Sequence, residues 1–337
     1  FEYQSMAGEL LGADVMNASH YDVATALAEA VIMAHRAAPS RPRVLIPAAI
    51  HPEYKEVMRT YLAALPVRLE EYSGEPGAAK LGDDVACLVA SYPEFTGEIR
   101  DLASGAAAAH AAGALFIVQA DPIMCAILKS PGELGADIVV AEGQSLGNPM
   151  NYGGPFLGMM GCSEKLMRKM PGRIVGEAHD HEGRTGYVLT LSAREQHIRR
   201  EKAVSNICSN QGLTMLQACI YLGAMGKVGL RTVADLCWNK AHYAAELIGK
   251  IPGFKVENKT FFKEFTVSTP VPAEALAERL SRKCIVPGLP LSRYDAKRDR
   301  ELLVCVTEMS AKSQIELLAS SLREASAQAP SAKEAAK

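Results

Sequence analysis

The sequence predicts an α/β fold, in which a large domain built on a mostly parallel β-sheet is followed by a small α+β domain. Strand-like apolar runs alternate with helix-like stretches through residues 1–160, which is the pattern of parallel strands joined by helices. The strand runs are continuously apolar, so both faces of the sheet should be covered. A length of 337 residues fits two domains of about 150 residues each.

The first 160 residues contain four predicted strands and four predicted helices. The strands are placed by runs rich in β-branched residues at 43–46, 85–89, 115–118 and 137–140. The helices are expected at 24–36, 52–64, 98–112 and 122–129. Asp22 stands directly before the first helix as a capping residue, and prolines at positions 39 and 42 close that helix.

The second half of the chain predicts the small domain. A long helical pattern covers residues 206–250, and strands at 265–267, 285–287 and 302–306 then alternate with helices at 272–282 and 310–325. We therefore expect a large domain over residues 1–229, a small α+β domain over 230–325 and a flexible tail over 326–337.

Composition excludes several functional classes. The 36 Lys and Arg residues against 38 Asp and Glu give a net charge of −2, which offers no general attraction to nucleic acid or to an anionic membrane. The eight cysteines contain no CxxC pair and several lie in apolar runs, so they are expected to be reduced thiols of a cytoplasmic protein. The apolar stretch 106–120 is too short to span a membrane.

Two local motifs are weak. Ser145 lies in a G-x-S-x-G pattern after a predicted strand, but the following prolines and glycines cannot continue the helix that a serine hydrolase requires there. The segment 179–181 places two histidines around an aspartate within a polar, glycine-flanked run, which predicts the tip of a hairpin and no metal site.

Two side chains follow predicted strands at the edge where α/β proteins place their sites. Asp121 comes after the strand 115–118, where it either caps the next helix or serves a cofactor; capping is the simpler interpretation. His51 comes after the strand 43–46 and is as consistent with an ordinary loop histidine as with a site residue.

The middle of the chain is predicted to form a functional surface. Residues 142–161 contain six glycines and two prolines, and residues 163–202 carry nine basic against six acidic side chains. The motif S-x-x-E at 192–195 predicts a capping box that opens a helix over 194–202. That helix is polar on nearly all sides, so it should face solvent, another chain or a charged ligand.

Several strings together resemble the P-proteins of the glycine cleavage system, and among them subunit 1 of the split form. These strings lie at 1–4, 17–19, 21–22, 24–30, 136–147, 152–155, 170–176, 194–203 and 205–208. The resemblance runs from residue 1 to about residue 320, with His20 where the family commonly has Met and Val204 where it commonly has Thr. It also implies a segment that precedes residue 1.

The resemblance implies the fold of the type I enzymes that use pyridoxal phosphate (PLP). It further implies a reaction in which glycine is decarboxylated and its aminomethyl group passes to the lipoyl arm of the H-protein. In the split form subunit 2 holds PLP, so the implied partners are that PLP-bearing subunit, the lipoylated H-protein and glycine. Neither nucleic acid nor a membrane is expected as a partner.

The residues support the expectation that PLP is held by the partner subunit. PLP needs a lysine amine, but Gln144 and Ser145 occupy the place after the strand 137–140 where the PLP-bearing relatives have it. The phosphate of PLP prefers a free helix N-terminus, whereas Asp22 should occupy those amide donors. We interpret four residues as remnants of a cofactor site: His51, Asp121, Gln144 and Ser145.

A cleft or interface surface is predicted from three segments. Its residues are Ser19, His20, Tyr21, Asp22, Asn151, Tyr152, Gly153, Gly154, Arg194, His197, Arg199, Arg200 and Lys202. The arginines suit a glycine carboxylate or an acidic partner, or they only brace a subunit interface. A degenerate PLP fold kept for assembly, with no part in catalysis, is the alternative function, and a hydrolase that uses Ser145 is a remote one.

Overall fold

The computed structural model describes residues 1–207 and 210–327, and these fall into two compact units. The first unit comprises Phe1–Glu94 and Arg100–Arg231, and the second comprises Phe95–Ile99 together with the chain from Thr232 onward. The predicted flexible tail starts inside the last helix, which ends at Ala327, and its remainder lies outside the described residues.

The first unit is built on a seven-stranded sheet. Its strands are β1 (Val15–Met16), β2 (Arg43–Pro47), β3 (Arg68–Tyr72), β4 (Val85–Tyr92), β5 (Leu115–Ala120), β6 (Ile138–Glu142) and β7 (Gly158–Cys162). The strand order is β1-β7-β6-β5-β4-β2-β3, and β7 runs antiparallel to both of its neighbours while the other pairs are parallel. The predicted α/β class with a mostly parallel sheet is confirmed.

The helices of this unit are α1 (Glu2–Leu11), α2 (Val23–Ala37), α3 (Pro52–Leu62), α4 (Leu102–Ala111) and the short α5 (Gln196–Arg199). A separate hairpin is formed by β8 (Ile174–His179) and β9 (Thr185–Thr190). Helix α2 is buried along most of its length because its alanines let it lie close to the sheet, and Leu27 and Val31 fill the core there.

The four predicted strands are confirmed, whereas the predicted helix at 122–129 is wrong. Only a single 3-10 turn, Met124–Ala126, forms there. The physical reason is local competition: Pro131 disfavours a helical conformation at Ser130, whose hydroxyl and backbone N–H both donate to Glu133 instead.

Helix α6 (Gly212–Gly249) runs from the first unit into the second and is kinked at Gly226, which has a φ of +58°. By length and composition it could cross a membrane, and 22% of its most apolar window is buried inside the protein. This segment was not predicted from the sequence as a membrane span. Such a helix is weak evidence for a membrane, since soluble proteins contain helices of the same composition.

The second unit is a four-stranded antiparallel sheet packed against helices. Its strands are β10 (Lys255–Val256), β11 (Glu264–Ser268), β12 (Leu289–Pro290) and β13 (Glu301–Cys305), in the order β10-β11-β13-β12. The helices α7 (Ala273–Ser281), α8 (Lys312–Ala327) and the end of α6 complete its core. The predicted strand at 285–287 is wrong: pairing starts only at Leu289, after left-handed backbone at Cys284 and Gly288.

Candidate functional site

The carboxyl ends of the parallel strands form one edge of the large sheet. Ala120 of β5 pairs with Ala141 of β6, so Asp121 and Glu142 follow at the same level. The start of α2 and the glycine-rich loop between β6 and β7 meet the same edge, because Glu142 accepts hydrogen bonds from the N–H groups of Val23 and Leu157. Ligands of open α/β sheets bind at such an edge.

The start of α2 is occupied by two carboxylates. Asp22 is the N-cap, and its Oδ1 accepts a hydrogen bond of 2.8 Å from the Thr25 N–H. Glu142 reaches across from β6, and its Oε2 accepts the Val23 N–H at 3.1 Å. The prediction for Asp22 is confirmed. Both negative charges lie where the helix would otherwise favour an anion, so they oppose phosphate binding.

Glu142 was not singled out from the sequence, yet it joins three segments. Its Oε1 also accepts the N–H groups of Gln144 at 3.0 Å and Leu157 at 2.9 Å. Burial raises the pKa of this carboxyl, and the backbone N–H donors oppose that rise. The sequence signal that could have identified Glu142 is its position as an acidic residue at the end of a continuously apolar strand.

A second polar network holds the segment 17–20 in place. Buried Asn17 donates from Nδ2 to the Pro171 carbonyl at 3.1 Å and accepts the Ser19 N–H at 3.2 Å. Ser19 has a φ of +126°, a conformation that costs a non-glycine residue energy and is kept here by these bonds. The Ser19 hydroxyl accepts the Gln211 N–H at 3.1 Å. Asn17, like Glu142, was not predicted from the sequence as a site residue.

His20 is fully buried, and neither ring nitrogen has a hydrogen-bond partner among the described residues. Burial lowers its pKa to about 4, so the ring is neutral at physiological pH. Its neighbour Tyr21 is partly exposed and lines, with His20, a cleft of about 460 Å³ that Glu29, Arg36 and Tyr61 also border. Of the predicted segment 19–22, Tyr21 and Asp22 are thus the partly exposed members.

Gln144 and Ser145 lie in a 3-10 turn that directly follows β6. The Gln144 side chain donates to the Asn148 carbonyl at 2.6 Å, and Ser145 is half-buried. No helix follows the turn; instead Gly147 adopts a φ of +81°. The prediction that Ser145 lacks the context of a hydrolase nucleophile is therefore confirmed.

The other two proposed remnants make local hydrogen bonds to the backbone. Asp121 Oδ1 accepts the Ile123 N–H at 2.9 Å, but the helix that Asp121 was predicted to cap does not form. His51 is the N-cap of α3: its Nδ1 accepts the Glu53 N–H at 3.2 Å, and its ring stacks on Tyr54. Each side chain has a structural role that requires no cofactor.

The loop around Asn151–Gly154 projects outward. Tyr152 is fully exposed, and all four residues have a positive φ. Met150 is 77% exposed beside it. Exposed tyrosine and methionine side chains on a strained loop are typical of a contact surface.

The predicted helix at 194–202 is wrong. The segment consists of three short pieces, Ser192–Arg194, Gln196–Arg199 and Arg200–Lys202, and Arg200 interrupts them with a φ of +53°. The predicted capping box does not form, since Ser192 lies inside the first of these turns, whose N-cap is Leu191 without a side-chain cap hydrogen bond.

The physical reason is that Arg194 turns inward. Its guanidinium donates to the Met170 carbonyl and, at 2.7 Å, to the Gly172 carbonyl, and Glu195 lies 3.3 Å from it. Both side chains are buried, so Arg194 does not share the surface that had been predicted for it. The exposed residues of the segment include His197, Arg199, Arg200 and Lys202.

No group of three or more potential metal ligands exists among residues 1–207 and 210–327. His179 and Asp180 lie at the β8–β9 turn, as predicted, and Asp180 pairs with Arg184 at 2.8 Å. The seven cysteines in the described ranges are free thiols, and Cys208 lies outside those ranges.

Comparison with known proteins gives consistent results. The family model of the glycine cleavage system P-protein matches residues 1–322. A probable glycine dehydrogenase (decarboxylating) subunit 1 of Desulforamulus reducens is 50% identical over 330 residues, which are 96% of this chain and 74% of the relative. A crystal structure of glycine decarboxylase (P-protein) in inhibitor-bound form superposes with a TM-score of 0.90 at 42% identity, over 96% of this chain and 75% of the other.

A more distant structural match supports the fold alone. A mutant of C-DES with glycine covalently linked to its PLP cofactor superposes with a TM-score of 0.67 at 12% identity, over 96% of this chain and 84% of the other. The first unit thus has the fold of the type I PLP-dependent enzymes, as the sequence resemblance implied.

Proposed function

The chain belongs to the glycine cleavage system P-protein family, and on that premise we propose that it works as the glycine dehydrogenase subunit that holds no PLP of its own. Relatives that match nearly the whole chain are named subunit 1 of glycine dehydrogenase (decarboxylating), so its activity is that of a split enzyme. The PLP-bearing subunit 2, the lipoylated H-protein and glycine complete the proposed system.

The occupied start of α2 carries this proposal. A phosphate would need the amide donors that Asp22 and Glu142 already take, and it would meet two negative charges there. An internal aldimine would need an amine where Ser145 offers only a hydroxyl. PLP does not fit these residues, which supports its placement in the partner subunit.

The role that remains for this chain is to complete and shape the shared active site. The loop at Asn151–Gly154 and the exposed segment Gln196–Lys202 are the surface that we assign to it. Arg200 and Lys202 supply positive charge that suits a carboxylate or an acidic partner protein. Arg194 is excluded from this surface by its burial.

The test is to mix the full-length chain with the PLP-bearing subunit and to measure glycine–bicarbonate exchange. We expect activity well above that of subunit 2 alone; no gain would refute the proposal. Addition of PLP to this chain alone should leave it colourless, and borohydride followed by mass spectrometry should find no pyridoxyl-lysine.

A purely structural subunit is the competing function, and Arg200→Ala separates the two. We expect this variant to reduce the exchange activity of the mixture, while Arg184→Ala on the β8–β9 turn, a matched exposed arginine, leaves it unchanged. Full complex formation with full activity for both variants would favour the structural role. A cytoplasmic location remains a prediction.

A further inference from the structure

We propose that the outward face of the first half of α6 docks the PLP-bearing partner subunit. This inference rests on the proposed function and adds a surface that was not predicted from the sequence. The face consists of a stripe of apolar residues spaced three and four apart, which we call the α6 stripe: Leu213, Leu216, Ile220 and Ala224.

The stripe is exposed although its residue types are those of a core. Leu213 is 73%, Leu216 is 52% and Ile220 is 62% exposed. The opposite face of the same helix is already buried in the first unit through Thr214, Ala218 and Leu222. The helix therefore carries apolar residues on two sides, of which residues 1–207 and 210–327 cover only one.

No charged residue occurs between Gly212 and Gly226, which is four turns of helix. A helix with apolar residues on opposite faces normally has both faces buried, because removing leucine side chains from water is favourable. Gly223 lies on the exposed side, and a Cβ built there would meet nothing within 4 Å. A second protein can therefore approach the backbone closely at this point.

We assign the partner subunit as the occupant because the stripe begins at the helical turn to which the loop of the proposed shared site is attached. Asn148 Nδ2 donates to the Thr214 carbonyl at 3.2 Å, and the Thr214 hydroxyl donates to the Phe156 carbonyl at 3.2 Å. These bonds fix both ends of the projecting loop, with its exposed Met150 and Tyr152, to the first turn of α6. The loop is thus anchored to the same helical turn that carries Leu213, the first residue of the stripe, on a chain whose relatives are named as one subunit of two.

The experiment replaces Leu216 and Ile220 by Glu in the full-length chain and measures the dissociation constant with subunit 2 by isothermal titration calorimetry. Each variant should bind at least about a hundredfold more weakly, as expected for the loss of a buried apolar anchor. The matched control is Leu317→Glu on α8, where the leucine is 54% exposed, and its affinity should be unchanged. Circular dichroism checks folding, and Leu216→Gln provides a milder second variant.

The outcomes separate this inference from the function on which it rests. If the unmodified chain binds subunit 2 and the stripe variants bind equally well, the inference is overturned while the proposed function stands. If the unmodified chain does not bind subunit 2, both fail. Stripe variants that lose only self-association, or only sedimentation with phosphatidylglycerol vesicles, would assign the stripe to a second copy or to a membrane and also overturn it.

Discussion

Two regions of the first unit differ in how their polar groups are used. At the start of α2, Asp22 and Glu142 bind backbone donors of their own chain, and His20 is sealed in the interior. In the segment Gln196–Lys202 every residue is exposed. In the first region the amide donors are already taken, whereas in the second the charged side chains are exposed.

This difference separates the fold from the chemistry. The sheet and the crossover helices are those of a PLP enzyme, but the backbone donors at the start of α2 are taken by side chains of the same chain. In the proposed function, the exposed cations of Gln196–Lys202 and the exposed Tyr152 are therefore the side chains that contact a substrate or a partner. The following changes test the contrast, from the largest expected effect to the smallest.

The comparison of Arg194→Ala with Arg200→Ala should show the largest effect, because the two arginines lie six residues apart but only Arg194 is buried. Arg194 binds two carbonyls and lies beside buried Glu195, so its loss should reduce the free energy of unfolding by about 3–5 kcal/mol. Arg200 is exposed, and its loss should change stability by less than about 0.5 kcal/mol. Urea denaturation of both variants gives the answer.

Equal stability of the two variants would contradict the buried role of Arg194. The double variant Arg194→Ala with Glu195→Ala is the control, since it also removes the carboxylate left unpaired. It should recover part of the lost stability.

His20→Met tests the sealed region through pH. Burial sets the pKa of His20 at about 4 in the folded chain, against 6.5 for an unperturbed histidine. Between these values the unfolded chain binds a proton that the folded chain does not, so stability falls as the pH falls through this window, by up to about 3 kcal/mol. The loss should be absent from the His20→Met variant, which has no titratable group at this position.

The measurement is the difference in unfolding free energy between the two proteins at pH 7 and at pH 4.5, which cancels the titration of other groups. At pH 7 the Met variant should already be the more stable one, because two unpaired ring nitrogens are removed. A difference that does not change with pH would show that His20 titrates normally.

The sequence predicted most of the fold because the fold depends on local patterns. The runs at 43–46, 85–89, 115–118 and 137–140 are apolar and β-branched, and all four became strands of the sheet. Asp22 was identified as a cap for the same reason, since its partner Thr25 is three residues away. Contacts over a short sequence separation are visible in the sequence.

The missed features depend on contacts between distant residues. Glu142 meets Val23 across 119 positions, and Asn17 meets Pro171 across 154. The predicted helix at 194–202 failed for the same reason, because Arg194 binds carbonyls more than twenty residues earlier. The local helix signals at 192–195 were outweighed by these hydrogen bonds between distant residues. Neither hydrophobic periodicity nor a sequence motif reveals such bonds.

Glu142→Gln tests whether acceptor oxygens are what close the start of α2. The amide keeps the volume but replaces one oxygen by an N–H₂ donor that faces the N–H of either Val23 or Leu157. We expect a loss of about 1–3 kcal/mol in unfolding free energy, the cost of an unsatisfied buried donor. Hydrogen exchange should show the accompanying loss of protection at Val23 or Leu157; unchanged protection at both would contradict the three-way contact.

Substitutions at Asp22 distinguish the capping role of the carboxylate from the effect of its charge. Their expected effect on stability is the smallest of those considered. Asn caps helices about as well as Asp, so Asp22→Asn should leave stability nearly unchanged, while Asp22→Ala should cost about 1 kcal/mol because the Thr25 N–H loses its acceptor. Thermal denaturation distinguishes the two. Asp22→Asn should still fail to bind inorganic phosphate by calorimetry, since Glu142 continues to hold the Val23 N–H and keeps its charge beside it. If this one neutralisation opens α2 to phosphate, Asp22 alone closes the site, and the second carboxylate only braces the loop that follows β6.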